Sequence, residues 1–405
     1  MSQVEELQDW SAVVALRDDW NRLFAQSPSA SFFQSFDWLE TYWRFYGSGQ
    51  SLRVMVVREA GAVAGIVPLA LIHEPSKLGA VRVLTYPMAY WGTYYGPIGP
   101  QPRATLAAAL EHLSSGRRDW DLLDLRFAPP AAADYADTLV VMARAGFAPV
   151  PRVVDHTSLI DLPDSFDAYL KSRGPRWRTH YGRWLRRVRD RGDLRYERYV
   201  PQGASDAGNV VADADPRWDL YDACESIARR SWQGSSTSGT TITHDSVRPF
   251  LRAMHATACR CGAADVNLLY LDERPLAFLY AYRRGDTLIG LRTGYDAGLS
   301  KDGVGNILYM HVLEDSIARG DKLIDLGPGS VKAKEALRTR LEPIYRLPHA
   351  NAFSWRGLAW RIKEAFTDVD AALAEYNADF PATARRSAPS RSEESRKVPE
   401  LVEQG

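Results

Sequence analysis

The chain has 405 residues, 50 basic and 50 acidic side chains that cancel to a net charge of zero, and 45% apolar residues. This length predicts two domains, and the composition is that of an ordinary globular protein. The balanced charge gives the whole chain no electrostatic preference for DNA or for a membrane surface. Cysteines and histidines lack metal-site spacing, the longest apolar run (61–72) is too short to span a bilayer, and no signal peptide precedes it. We therefore expect a cytoplasmic protein with no metal, no DNA partner and no transmembrane segment.

The first half of the sequence alternates helical and strand patterns. Apolar residues at helical spacing predict helices at 4–26, 39–46 and 103–115. Short apolar or alternating runs predict strands at 52–58, 62–72 and 120–125.

The second half repeats this order. Strands are expected at 266–271, 276–282, 287–293 and 322–326. A glycine-bearing loop at 298–305 leads into a helix predicted over 306–319, which Gly320 is suited to end.

The two halves align without gaps around their last helix and strand, at an offset of about 200 residues. Asp124 then falls on Asp325, and Tyr94 falls on Tyr295. The alignment predicts a duplicated architecture, although two unrelated αβ segments could match by chance. We place the first domain at 1–150, the second at 151–366, and a helix end with a disordered tail, rich in Arg, Ser, Glu and Pro, at 367–405.

Only the second half has glycines at the strand-to-helix junction. In the alignment, Pro102 and Ala104 of the first half stand opposite Gly303 and Gly305. Such a junction directs free backbone N–H groups and the positive end of a helix dipole at one point, which suits a pyrophosphate. A side chain at either glycine would keep the backbone away from the ligand. The motif alone is weak; its position between a predicted strand and a helix strengthens it.

Residues 300–305, SKDGVG, resemble the pyrophosphate loop of the GNAT acetyltransferases. The order of elements from 31 to 365 resembles the cellulose-biosynthesis (CelD-like) acetyltransferase family, which is related to the Fem aminoacyltransferases. Four segments besides the loop carry this resemblance: 33–38 (FQSFDW), an arginine-rich helix, 294–296 (GYD) and 325–329 (DLGPG).

The resemblance implies an α/β (α+β) fold of tandem GNAT-like domains, with mixed central sheets flanked by helices. It implies acetyl-CoA or another acyl-CoA as co-substrate, held by Ser300, Gly303, Val304, Gly305 and Asn306. Two positions depart from the family pattern. Serine at 300 replaces a Gln or Arg, and Ala333 replaces the tyrosine of a Tyr-Lys pair whose lysine, Lys334, is present and is a candidate for substrate binding.

Candidate catalytic residues lie where two strands of such a fold separate. Asp325 would act as the base or orient the amine, or else it caps the next turn, as Asp124 would at the equivalent place. Tyr295 and Asp296 are further candidates for catalysis. Arg292 either binds a substrate anion or pairs with Asp296. Many GNAT enzymes protonate the leaving thiolate with a tyrosine after the last motif strand, and none occurs between 322 and 341.

The segment 171–191 predicts an amphipathic helix with eight arginines. Its apolar positions are Trp177, Tyr181, Trp184 and Val188. The basic face, with Arg183 and Arg187 as candidates, would bind an anionic acceptor or tRNA. Alternatively it is a solvated face, or it pairs with the acidic region 205–225.

Three functions remain open from the sequence. The first is transfer of an acyl group from coenzyme A to an amine or hydroxyl of an amino sugar or another cell-envelope polysaccharide precursor. The second is aminoacyl transfer from tRNA, as in the Fem family, although the inserted helical arm of that family is not evident. The third is a binding module that has kept the fold without catalysis.

Overall fold

A computed structural model describes residues 2–77, 79–87, 91–116, 118–128, 132–201, 215–236 and 239–365. All structural statements below concern these residues. The predicted tail at 367–405 lies outside them.

The first half carries helices and strands in alternation. Its strands are β1 (Gln3–Leu7), β2 (Ser51–Glu59), β3 (Ala62–Glu74), β4 (Val81–Thr85) and β5 (Leu122–Ala128). Its helices are α1 (Trp10–Val14), α2 (Arg17–Gln26), α3 (Phe36–Tyr46), α4 (Pro102–Ser115) and α5 (Ala132–Arg144).

The second half follows the same plan, with two more strands and two more helices than the first half has among the described residues. Its strands are β6 (Arg152–Asp161), β7 (Leu194–Tyr199), β8 (Ala264–Leu271), β9 (Arg274–Arg284), β10 (Thr287–Tyr295), β11 (Leu323–Asp325) and β12 (Arg340–Ala350). Its helices are α6 (Phe166–Ser172), α7 (Pro175–Arg189), α8 (Trp218–Arg230), α9 (Arg248–Arg260), α10 (Val304–Arg319), α11 (Val331–Lys334) and α12 (Trp355–Ala365).

All twelve strands form one mixed sheet in the order β1-β2-β3-β4-β5-β12-β6-β11-β10-β9-β8-β7. Only β4 with β5, and β10 with β11, pair in parallel; the remaining neighbours are antiparallel. Helices cover the sheet, as the apolar residues of α2, α4, α8, α9 and α10 are buried against it. The predicted α/β class with a mixed sheet flanked by helices is confirmed, with the sheets of the two halves joined into one.

The two halves meet in the middle of the sheet. Strand β12, near the end of the described chain, pairs with β5 of the first half on one side and with β6 on the other. Strand β6 in turn lies beside β11. Among the described strands, those of each half stay contiguous, and the pairing of β5 with β12 joins the two halves.

The predicted helix over 4–26 is wrong at its start. Residues 3–7 form β1, which pairs with the edge of β2. The side chain of Asp9 accepts a hydrogen bond from the N–H of Ser11 at 2.7 Å, so a new helix begins at Trp10. An Asp at this position is a helix start signal, and it separates the strand from the helix.

The arginine-rich segment is two helices rather than one. Helix α6 ends at Ser172, Arg173 is extended, and α7 begins with Pro175 in its first turn. Proline is suited to the first helical position, and it disfavours helical backbone in the residue before it. The break turns α7 so that it packs on α10 and on the loop before α10.

Candidate functional site

Strands β10 and β11 separate after three paired residues. Thr287, Leu288 and Ile289 pair with 323–325, and Leu326 then donates its N–H to Ser158 O on β6 at 2.9 Å. Beyond this point β10 stays paired with β9 as far as Tyr295 but no longer pairs with β11, so the two parallel strands separate and border a cleft.

Two glycines face each other across this cleft. Gly327 has φ +74, and a Cβ there would lie 2.5 Å from the carbonyl oxygen of Gly290. On its other side, β10 has an irregular register with β9 between Gly290 and Arg292. Both glycines are buried, and the backbones of the two segments approach each other closely at this point.

The loop after β10 ends in the start of a long helix. Residues 297–302 form a 3₁₀ turn, Gly303 adopts φ +66, and α10 follows from Val304. The Asp296 side chain starts the turn by accepting from Gly298 N–H at 3.0 Å. The first N–H groups of α10 have no partner within the helix, so this end of the helix attracts an anion.

The loop glycines are also required by their neighbours. A Cβ at Gly303 would lie 2.4 Å from the ring of Trp184 in α7, and a Cβ at Gly305 would lie 3.1 Å from the ring of Tyr295. The two aromatic rings therefore border the loop. Packing alone explains why these positions are glycine, and the case for a ligand depends on the helix start rather than on the glycines.

Helix α7 is fastened to the loop by a buried carboxylate. Asp302, which is 5% exposed, pairs with Arg191 at 2.7 Å and with Arg187 at 3.2 Å. Arg187 also donates to Lys301 O at 3.3 Å. The basic helix thus lies beside the predicted donor loop, and Arg187 has a structural partner there. Arg183 is exposed one turn away from Arg187, and its role stays a prediction.

Asp325 is a buried carboxylate at the end of β11, 2% exposed. It accepts hydrogen bonds from the hydroxyls of Tyr94 and Thr157 and, at 2.7 Å, from the N–H of Gly327. Burial raises the pKa of Asp325 above its ordinary value, although these donors and the Lys334 ammonium oppose the rise. Burial and the neighbouring carboxylate raise the pKa of Tyr94 well above its ordinary value, so the phenol stays protonated and donates.

The equivalent carboxylate of the first half has different partners. Asp124 is also buried, but it pairs with Arg126 at 2.6 Å and with Arg346 of β12. Two guanidinium groups make Asp124 a structural anion. Asp325 has hydroxyl groups in their place, so the two positions aligned in sequence have diverged in chemistry.

Lys334 lies next to this carboxylate. Its ammonium donates to the carbonyl oxygens of Gly327 at 2.7 Å and Pro328 at 2.9 Å. Burial and the Arg292 charge lower the pKa of Lys334 to about 8, against the opposing effect of Asp325 and Asp155. A lysine with a pKa near neutrality can exchange a proton at physiological pH.

Asp296 and Tyr295, the other two predicted catalytic residues, contact groups outside the Asp325 cluster. Asp296 pairs with Arg274 at 2.6 Å and Arg230 at 3.1 Å; although burial favours a raised pKa, these partners and the Gly298 N–H lower it. These contacts favour a structural role for Asp296, and its catalytic role stays a prediction. Tyr295 borders the loop at Gly305.

Arg292 contacts a backbone carbonyl oxygen and an aromatic ring. Its Nε donates to Thr240 O at 2.8 Å, and its guanidinium lies 4.3 Å from the centroid of the Trp91 ring. It nevertheless contributes positive charge near Lys334. Substrate binding by Arg292 stays a prediction.

Sequence reasoning missed two members of the cluster. Tyr94 comes from the first half and was noted only as the counterpart of Tyr295, while Thr157 lies on β6. The packing of the two halves against each other brings Tyr94 to Asp325, and the pairing of β6 with β11 brings Thr157 there. Of these two residues, the internal repeat of the sequence drew attention to Tyr94 alone. No pattern in the sequence distinguishes Thr157 from other strand threonines.

The first half keeps a similar cleft with a different helix start. Strands β4 and β5 pair over only two positions, and a cavity at their separation is lined by Tyr86, Pro102, Arg126 and ten or so further residues. Proline in the first turn of α4 removes one of the N–H groups that α10 offers. The placement of the donor loop in the second half stays a prediction.

The described part of the chain contains no group of three or more His, Cys, Asp and Glu side chains arranged for a metal ion. Its helices include none with the length and apolar character needed to cross a membrane.

Residues 175–335 match the sequence family of the acetyltransferase (GNAT) domain. No curated protein matches the sequence significantly. The crystal structure of FemX is similar with a TM-score of 0.53 at 12% identity, covering 86% of this chain and 97% of FemX.

A conserved protein of unknown function from Bacteroides thetaiotaomicron VPI-5482 has a TM-score of 0.51 at 12% identity, with 86% and 100% of the two chains covered. A tandem GNAT protein from the clavulanic acid biosynthesis pathway has a TM-score of 0.43 at 13% identity, with 87% and 100% covered. At 12% identity, the likeness to FemX and to the Bacteroides protein concerns the fold alone. The match to the acetyltransferase (GNAT) domain lies in the second half of the chain.

Proposed function

We propose that the chain transfers an acyl group from coenzyme A to an amine, with the donor pyrophosphate at the start of α10 and the thioester in the cleft between β10 and β11. The observation that carries this proposal is that the unpaired N–H groups at the start of α10 follow β10 in the chain, while Lys334 binds the carbonyl oxygen of Gly327 beside the cleft. The resemblance to the CelD-like family supports an amino sugar or another cell-envelope polysaccharide precursor as acceptor.

In the proposed reaction, the neutral amine nitrogen attacks the thioester carbonyl carbon, and the carbon–sulfur bond breaks. The leaving thiolate takes a proton from Lys334 Nζ, which replaces the tyrosine that the sequence lacks. The lysine then accepts the proton that the acylated nitrogen loses, so the ammonium is restored. Two of its three N–H groups are held by Gly327 and Pro328, and the third serves the sulfur.

The donor site is tested by Asn306→Glu. Residue 306 is the third residue of α10, where a carboxylate stabilises a helix but repels a phosphate. We expect the dissociation constant for acetyl-CoA, measured by titration calorimetry, to rise about tenfold or more, equivalent to roughly 1.4 kcal/mol, while the melting temperature stays unchanged or rises.

Asn306→Gln is the matched control, since it has the same length as glutamate without the charge, and it should bind acetyl-CoA almost as the wild type does. Equal affinity of the Glu variant and the wild type would remove the donor from this loop. No heat and no turnover with any acyl-CoA in the wild type would contradict coenzyme A as donor.

The second candidate is aminoacyl transfer from tRNA. It is favoured by α7, whose exposed arginines flank the donor loop and would suit a nucleic-acid backbone. Titration of the wild type with aminoacyl-tRNA and with acetyl-CoA separates the two donors. Tight, salt-dependent binding of the tRNA without binding of acetyl-CoA would favour this second function.

A further inference from the structure

Tyr94 has an unusual backbone for its residue type. It follows β4 in the first half, with φ +62 and a side chain 6% exposed. The left-handed region disfavours a tyrosine, so the surroundings must enforce this conformation. Its carbonyl oxygen accepts from the Ser31 hydroxyl at 3.3 Å, and its own hydroxyl reaches Asp325 in the second half.

The hydrogen bonds on Asp325 divide into two sets. One carboxylate oxygen receives the Tyr94 hydroxyl, and the other receives the Thr157 hydroxyl and the Gly327 N–H. A buried carboxylate with three donors is a poor general base, because its lone pairs are occupied. It is well placed to fix the groups that donate to it.

Gly327 connects this carboxylate to Lys334. Its N–H donates to Asp325 at 2.7 Å, and its carbonyl oxygen accepts from Lys334 Nζ at 2.7 Å. Gly327 also faces Gly290 across the cleft. A shift of Asp325 would therefore move both the cleft wall and the ammonium.

We propose that Tyr94, supplied by the first half, is a positioning residue for the reaction centre of the second half, where it holds Asp325 and, through Gly327, fixes Lys334. The proposal rests on the proposed acyl transfer for its kinetic readout. The equivalent carboxylate supports it, because Asp124 is likewise held by a side chain from the other half, Arg346 of β12, although there the contact is an ion pair.

Tyr94→Phe removes the hydroxyl and leaves one oxygen of Asp325 without this partner. We expect kcat to fall about tenfold or more, and KM for acetyl-CoA to change less than about twofold, since the donor loop is untouched. Without this donor Asp325 and Gly327 are held less firmly, so the Gly327 carbonyl oxygen stabilises the Lys334 ammonium less well. The basic limb of the pH–rate profile should therefore move to lower pH.

Thr157→Val removes a donor to the same carboxylate from β6 and should move the basic limb in the same direction. If Tyr94→Phe folds poorly, Thr157→Val tests the same hydrogen bonding of Asp325. The control is Tyr196→Phe, which loses a tyrosine hydroxyl bonded to Asn267 at 2.6 Å on the distant strand β7. The control should keep the wild-type profile.

The outcomes separate the inference from the proposed function. If the wild type turns over acetyl-CoA and Tyr94→Phe keeps both kcat and the basic limb, the positioning role is wrong and acyl transfer stands. If the wild type shows no turnover, the Lys334 pKa is measured by NMR of ¹³C-methylated lysines, assigned with Lys334→Met. A lower pKa in Tyr94→Phe than in the wild type supports the positioning role, and an unchanged pKa contradicts it.

Discussion

At the scale of single residues, Lys334 offers a pH dependence with a definite sign. Burial lowers its pKa to about 8. As the proton donor it must be charged, so the rate should fall as pH rises through about 8, while the acidic limb of the profile follows protonation of the acceptor amine, which must be neutral to attack. Lys334→Met should reduce kcat by about 10²- to 10⁴-fold, the usual range for a general acid, and should lose this basic limb.

The matched control for this prediction is Lys332→Met. Lys332 lies on the same short helix, α11, but is exposed. Steady-state rates from pH 6 to 10 for the three proteins make the comparison. A Lys334→Met enzyme with the wild-type profile would assign the proton to another group, or to water.

The site shows which kinds of residue a single sequence can reveal. Asp325 and Lys334 were candidates because each is a charged group beside a recognisable strand or motif, and the structure brings them together. Tyr94 and Thr157 act from a distant part of the chain. Their contribution depends on which strands become neighbours across β6, β11 and β12, and that pairing leaves no local pattern.

At the scale of elements, buried charges fix the edge strand β7. Arg198 is buried and pairs with Asp265 at 2.6 Å, Asp315 at 2.8 Å and Asp321 at 3.4 Å, which connects β7 to β8 and α10. Arg198→Met would leave Asp265, which is fully buried, without its closest cation. We expect unfolding in urea to show a loss of about 3–5 kcal/mol in the free energy of unfolding.

Arg195→Met on the same strand is the control for the edge strand. Arg195 pairs with Glu197 at 2.7 Å at the surface, so its loss should cost about 1 kcal/mol or less. Similar costs for the two variants would mean that the buried network contributes no more than a surface pair.

Periodicity predicted the regular elements of the second half well. The predicted strands of β8, β9 and β10 and the helix α10 are confirmed, and Gly320 ends α10 with φ +84. The pattern failed where a short polar signal decides the conformation. Asp9 starts a helix after β1, and Pro175 starts a new one after α6. Helical spacing of the surrounding apolar residues cannot register such a break.

At the scale of the whole molecule, one continuous sheet unites the predicted halves. The boundary between 150 and 151 stays a prediction, and β6 begins directly after it. Because β5 of the first half pairs with β12 of the second, the two halves share one sheet and meet along this pair of strands. Tyr94 crosses the same junction to reach Asp325. Folding of either half alone would leave an open sheet edge and an incomplete site.

The sheet that the two halves share predicts that the chain unfolds as one unit. We expect a single calorimetric transition whose enthalpy equals the van't Hoff enthalpy, although chains of this length often unfold domain by domain. Leu347 of β12 is fully buried, pairs in register with Leu125 of β5, and packs in a core cluster that contains residues of both halves.

Leu347→Ala should lower the free energy of unfolding by about 2–5 kcal/mol, because it leaves a cavity in the core that both halves share. The single transition should remain single. Leu341→Ala, also on β12 but 37% exposed, is the control and should leave the transition almost unchanged. Two transitions in the wild type, with Leu347→Ala lowering only one of them, would mean that the halves fold independently despite the shared sheet.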